Sequence, residues 1–572
     1  MKNKFIIFEI ISLIFLFGCK ELDQEIITSL NYDQVTKSYN FTNLRCKGVY
    51  WGIKSGFLYI DNQAMMASAT DEAEHTLERN SVYKFNVGSW NAYDNPDNVW
   101  TSYFQGIRRA NMFLMSSDSV DLDLYKYDPT PAKQLIYQSR LADIKNWKYE
   151  VRFLRAFYYF ELLKRYGGVP LFTSTIDINA DFSNIKRNTL SECIQFVSDE
   201  CDSAASVLPA KYPLDVDLGR ATKGAALALK SRVLLYAASD LFNSPEVWAP
   251  GYEKPELISV TGDRKIKWQN AAIAAKEVID LAEAGYSLSS YSALFGSGNY
   301  NNSEVIFRIT LGNSNDFEKI NTPVGYDYGQ GGTTPSQNLV DDYEVIVNSN
   351  VSVPFDWNNP THAANPYNKR DPRFAMTVLY NGNVIKGRAI QTWIGGLDAK
   401  PKDKATKTGY YLNKYNNTSL DLLQGRTSNH SWVIFRLAEM YLNYAEALNE
   451  ADPGNTDIKK YVDLVRKRTG VNMPALPTGL SQSQMRDAIR HERRIEFAFE
   501  DHRFWDVRRW MLGDAYFNVP LRGVDIIKNT NGTFSYNVVD VENRVFTPKM
   551  YLYPIPQSEL FIAKGWVQNP LW

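Results

Sequence analysis

Cysteine is scarce, and the four in these 572 residues cannot staple a fold. Cys193 and Cys201 fall on one predicted helix, about 12 Å apart along its axis, which is beyond disulfide reach. Cys46 has no partner in sequence, and neither CxxC nor a His pair at helical spacing occurs, so no metal site is expected. A long apolar run is missing as well: the one at residues 5–17 is too short to span a bilayer. Neither charge sign dominates, with 63 Lys+Arg against 64 Asp+Glu and a formal net charge of −1, which argues against nucleic acid or an anionic membrane surface as the main partner. GxSxG, P-loop, GxGxxG and HExxH signatures are all absent. A glycosidase carboxylate pair leaves no such signature, so a surface-anchored glycoside hydrolase stays open as the alternative.

What is present is a globular composition, 44% hydrophobic and 22% charged, long enough for several core layers. Aromatics reach 13%, with 35 Tyr and 13 Trp, a supply that suits stacking on flat ligands such as sugar rings.

The segment at 481–510, SQSQMRDAIRHERRIEFAFEDHRFWDVRRW, organises the chain. Ser481 and Gln484 have capping-box spacing and predict a helix start. Met485, Ala488, Ile489, Ile495, Phe499 and Trp505 share one side of that helix, and Glu492, Glu496 and Asp506 fall in the same sector. Carboxylates in an apolar stripe need partners, which the neighbouring arginines can supply. His491-Glu492 imitates the start of a zinc-protease motif, but Ile495 stands where the second histidine is required.

At the N-terminus, Lys2 and Lys4 precede the apolar run, which has the shape of a signal-peptide core over residues 1–18. Leu16-Phe17-Gly18-Cys19 has the form of a lipobox, making Cys19 the lipid-bearing first residue and 19–31 a tether. Further on, a first helix is expected within 32–54. Asp71-Glu72-Ala73 is expected to be solvated or helix-capping. SWNAYDNPDN at 89–98 reads as a turn; Asp94, Asp97 and Asn98 match no calcium-loop spacing. Helices are predicted at 100–114, 140–166 (stopped by Gly167-Gly168), 189–208 with a Thr189/Glu192 capping box, 219–238, 268–284, 435–450 and 458–468. Residues 286–429 are rich in Asn, Gly, Thr and Tyr with short strands such as 305–311, the composition of excursions that carry ligand contacts.

Several stretches carry a resemblance: HERRIEFAFEDHRFWDVRRW, DEA at 71–73, WTSYFQGIRRANMFL, RFLRAFYYFELLKRYGGVPL, GTTPSQNLVDDY, DPR at 371–373 and the closing YLYPIPQSEL with QNP. Together, in this order, they resemble the signature segments of the SusD/RagB family, outer-membrane nutrient-binding lipoproteins. The resemblance implies a mainly α fold: a tetratricopeptide-like helical scaffold with irregular, loop-rich insertions and a few short strands. It covers one domain over 32–572, with scaffold at about 32–285 and 430–572 and a ligand-binding excursion at about 286–429. It also implies lipid attachment at the outer membrane, facing the cell exterior. The implied partner is a SusC-like TonB-dependent transporter, the ligand an oligosaccharide or related nutrient, and no covalent chemistry or cofactor is involved. A tetratricopeptide scaffold binding only protein is the third reading. The family motifs are mostly scaffold, so site candidates come from residue type: Trp90, Tyr93, Asn91 and Asp94 first, then Tyr326, Tyr328, Asp356, Trp357 and Trp393.

Overall fold

The computed structural model describes residues 30–177, 180–213, 217–296 and 302–572. Cys19, the leader and nearly all of the tether lie outside them. The longer helices are α1 (Tyr39–Tyr50), α2 (Trp100–Ser116), α3 (Pro131–Tyr166), α4 (Leu190–Ala205), α5 (Lys223–Ala238), α6 (Arg264–Ile279), α7 (Leu437–Ala451), α8 (Thr456–Arg466), α9 (Gln482–Glu496) and α10 (His502–Arg509). From α2 to α8 each packs against the next, and α9 lies on α7. This is the tetratricopeptide-like stack, mainly helical with few short strands. Ala225 and Ala228 of α5 and Ala271 and Ala275 of α6 are fully buried, and such small residues let helix axes approach. Thr189/Glu192 and Ser481/Gln484 both close reciprocal capping boxes. Gly167 ends α3 at φ 72, where a Cβ would stand 2.4 Å from the Leu257 carbonyl oxygen, so only glycine fits.

Strands β1 (Ala73–His75), β2 (Val305–Thr310), β3 (Thr333–Pro335), β4 (Ser431–Arg436), β5 (Leu521–Lys528) and β6 (Phe534–Glu542) form antiparallel pairs β1–β3, β2–β4 and β5–β6. Between 302 and 429 no described helix exceeds six residues.

Four details differ from expectation. Residues 481–510 form two helices, because 497–501 turn, with Phe499 at φ 61 and Asp501 at φ 60. The turn lets the Phe499 N–H donate to Glu72 at 3.3 Å and swings Glu500 onto Arg436 and Lys414, at 2.8 and 2.7 Å. Residues 435–436 belong to β4 before α7 begins. The β5–β6 hairpin occupies a stretch expected to be helical. Finally, Asp71, Glu72 and Ala73 are buried. Asp71 pairs with Arg494 and Arg503, and Ser336 donates its N–H to the Glu72 carbonyl at 2.8 Å, so two family motifs lock together across β1–β3.

The central device is ionic. Glu492 takes Arg373 and Arg466 at 2.5 and 3.1 Å. Glu496 takes Arg373 at 2.9 Å, Arg436 at 2.6 Å and Arg468 at 2.5 Å. Both carboxylates are wholly buried. Burial alone would push the Glu496 carboxyl up; the Arg468, Arg436 and Arg373 guanidiniums outweigh it and hold it well below the usual range. Truncating one member leaves buried charge unmatched, so Glu496→Ala is expected to cost about 3–5 kcal/mol, read as a lowered thermal unfolding midpoint.

Asp501 shows the opposite behaviour. It lines a small pocket with Lys54, Glu161, Lys164 and His502, and its Oδ1 has no hydrogen-bond partner among the described residues. Burial pushes its carboxyl up to about 8, against the pull of Lys164. An unfolded chain releases that proton near 3.9. Between these values the folded state binds more protons, so this group subtracts stability as pH rises. Asp501→Asn, which tolerates the left-handed backbone, should therefore gain stability relative to wild type as pH climbs from 4 to 8. A pH-independent difference in urea unfolding would contradict this.

Candidate functional site

The sequence candidates fall at three separate places. Trp90 is 1% exposed, with its ring packed 5.1 Å from Phe85, 5.1 Å from Tyr553 and 4.6 Å from Trp572. A ring enclosed on those sides has no face for a sugar, so Trp90 is a packing residue and the expectation for it is corrected. Its neighbours do reach solvent: Tyr93 is 79% exposed, held by an Asx turn in which Asn91 Oδ1 accepts the Tyr93 N–H at 2.9 Å. Asp94 is tied to Lys84 at 2.6 Å. Asp97 is buried, accepting from Arg165 at 2.8 Å and from the Tyr553 hydroxyl at 3.0 Å; it fastens the C-terminal tail to α3 rather than serving a surface turn.

The second place is a lobe built on Asp398. This buried carboxylate accepts both terminal nitrogens of Arg388, at 2.8 and 2.9 Å, and the backbone N–H groups of Gly325 at 3.1 Å and Gln391 at 2.9 Å. One carboxylate thus clamps the Tyr326 turn against the Trp393 turn with charge-assisted bonds. The Arg388 guanidinium lies 3.8 Å from the centroid of the Tyr326 ring, and the Tyr326 hydroxyl donates to the Arg388 carbonyl at 2.9 Å. Tyr326 is therefore pinned, with one face covered, whereas Tyr328 is 63% exposed. Trp393 is half-buried and bridges to Ile526 of β5; the Ile394 N–H donates to the Ile526 carbonyl at 2.8 Å. Lys528, at the end of the same strand, lies over the Trp393 ring at 5.1 Å.

The third place holds Asp356 and Trp357. The Trp357 indole N–H donates to Asp341 at 3.0 Å, and Arg522 of β5 pairs with the same carboxylate at 3.1 Å. Trp357 packs edge-on to Phe355 at 5.0 Å, and Arg370 lies over Phe355 at 4.2 Å. Asp356 is exposed and closes a local turn through Asn358, at 2.8 Å.

Strand β5 links the second and third places. Arg522 and Lys528 stand about 20 Å apart along it at the usual strand rise, a span of several sugar units. The Asn91–Asp94 turn is held instead by the C-terminal tail, whose Gln557 N–H donates to the Ala92 carbonyl at 3.1 Å. The structure adds Arg388, Asp398, Arg522 and Lys528 to the candidate site, Asp398 as its buried base; no sequence spacing signals them, because each acts across a loop or a hairpin. A competing concavity of about 410 Å³ lies between α2 and the C-terminal tail, walled by Trp100, Phe104, Phe172, Phe182 and Trp566.

Comparison with known proteins bears on this arrangement. The SusD family model matches residues 297–572, and a second, described as starch-binding and associating with the outer membrane, matches 54–235. A SusD-like protein, P2, of Formosa agariphila is 22% identical over 92% of this chain and 98% of its own length. Among solved structures, a SusD-like protein from Bacteroides fragilis superposes with a TM-score of 0.77 at 27% identity, covering 95% of this chain and 99% of that one. A SusD-like carbohydrate binding protein from the same organism gives 0.72 at 23% identity, over 92% and 99%. With the motifs in register along the helical stack and the lobe set upon it, the chain belongs to the SusD/RagB family.

Proposed function

We propose that this protein is a cell-surface lipoprotein that binds oligosaccharides and passes them to a SusC-like TonB-dependent transporter, without covalent chemistry. The observation that carries the reading is the Asp398 clamp, a buried ionic base holding the Trp393 and Tyr326 turns together at an exposed edge. Preorganised rings lose little freedom on binding, and a tryptophan face beside Asn, Asp and Arg side chains matches the alternating apolar and hydroxyl surfaces of a sugar. The starch-binding description of the second family match and the carbohydrate binding neighbour of the same fold support that ligand class. In this reading the lipid on Cys19 tethers the chain to the outer membrane and the transporter sits beneath it.

A hydrolase would need two free carboxylates flanking a bond, roughly 5–9.5 Å apart. In the lobe three carboxylates are committed instead, Asp398 to Arg388 at 2.8 Å, Asp525 to Lys400 at 3.1 Å and Asp327 to Lys386 at 2.6 Å, which leaves the exposed Asp403 without a paired second carboxylate. That arrangement favours binding over cleavage.

Affinity electrophoresis of the full chain against a polysaccharide panel tests the reading. Trp393→Ala should abolish the retardation of wild-type protein by its glycan while costing only about 1–2 kcal/mol of unfolding free energy, as its ring is half-buried. Trp90→Ala should do the reverse, costing about 3–5 kcal/mol of stability and sparing retardation wherever the chain remains folded. Released reducing ends on incubation would favour the hydrolase instead.

A further inference from the structure

We propose that the sugar unit stacking on Trp393 carries an anionic group, a carboxylate or a sulfate; this rests on the glycan-binding reading above. Strand β5 sets the geometry. Ile526 bridges to Trp393, and Lys528, two residues on, projects to the same side of the strand, so its ammonium comes to lie over the indole ring at 5.1 Å. A ring that stacks on that face must move the ammonium aside. A neutral sugar would replace the cation–π attraction with its own stacking and offer the displaced ammonium only neutral hydroxyl acceptors. A sugar with an anionic substituent gives the displaced ammonium a partner at the ring edge, turning the loss into a charge-assisted contact.

The charges around the ring have the same bias. The acids Asp398, Asp525 and Asp327 already hold Arg388, Lys400 and Lys386. Left over are Lys528, Lys402, whose Nζ meets only the Leu397 carbonyl at 2.6 Å, and Lys404, whose Nζ meets Gln330 at 3.3 Å. Among the described residues none of the three has a carboxylate within ion-pair distance, and the exposed Asp403 offsets one of them. The lobe thus presents surplus positive charge beside its half-buried indole, although the whole chain is nearly neutral at −1.

Isothermal titration of the intact protein against three probes tests this: oligogalacturonate, which carries carboxylates only; dextran sulfate, which carries sulfates only; and neutral maltooligosaccharide of matched length. The inference expects at least one anionic probe to bind about tenfold or more tighter than the neutral one, with the preference shrinking as salt rises. Lys528→Met, which keeps the stem and removes the charge, should weaken that probe about three- to fivefold, the scale of an exposed ion pair, with an unchanged melting temperature. Trp393→Ala should abolish binding of the same probe. Equal binding of neutral and anionic probes, with Lys528→Met without effect, overturns the anionic assignment and leaves the glycan reading standing. Anionic binding that survives both substitutions also overturns it, since the charge would then be read elsewhere. Failure of all three probes overturns the anionic assignment, and absence of retardation by any polysaccharide of the panel overturns the glycan reading with it.

Discussion

Two glutamates one helical turn apart, Glu492 and Glu496, gather arginines from segments that are distant in sequence. Arg373 comes from the loop-rich region, Arg436 from the end of β4, and Arg466 and Arg468 from the end of α8 and just beyond it. In the interior such pairs contribute little net stability over a well-packed apolar core, because desolvation offsets much of the attraction. Their consequence is positional. Each guanidinium has a fixed fork and must arrive at one geometry, so the network admits a single placement of the loop region on the helical stack.

That placement reaches the surface by short steps. Arg373 sits in the first turn of the helix Pro372–Thr377, capped by Asp371 at 2.9 Å. The helix leads into Val378–Leu379, which pairs with Tyr411–Leu412. The excursion between those two strands carries Arg388, Trp393 and Asp398. A second fastening holds the same region from the N-terminal side, through β1–β3 and the pairing of Asp71 with Arg494 and Arg503. Ionic contacts in the interior thus hold rings at the rim, and in the proposed reading a rim held in this way needs no ordering before it takes a ligand. It also explains why the family motifs, DEA, TPSQ and DPR among them, are buried joints rather than ligand contacts.

Local signals read well from the chain alone. The start of α9 at Ser481, the Thr189/Glu192 box, the stop at Gly167 and the strand at 305–310 all depend on residues within a few positions of one another. Contacts between remote segments were not legible. Nothing in HERRIEFAFEDHRFW marks a break, since no glycine or proline stands there; the turn at 497–501 exists because Glu72, Lys414 and Arg436 wait for its groups. Trp90 lies in a turn-rich stretch that reads as exposed, and it is buried because Tyr553 and Trp572 return from the far end of the chain to join Phe85 around it. Asp398 and Lys528 look like ordinary surface charges until the β5 strand brings the hairpin and the loop together.

The most direct test of the account is a crystal structure of the protein with a bound oligosaccharide that it retains in solution. The account predicts a sugar ring against the Trp393 indole, adjoining units running along β5 toward Arg522, and the Asp398 clamp unchanged from the free protein. A sugar seated instead between α2 and the C-terminal tail, against Trp100 and Trp566, or a rearranged Asp398 clamp, would contradict it.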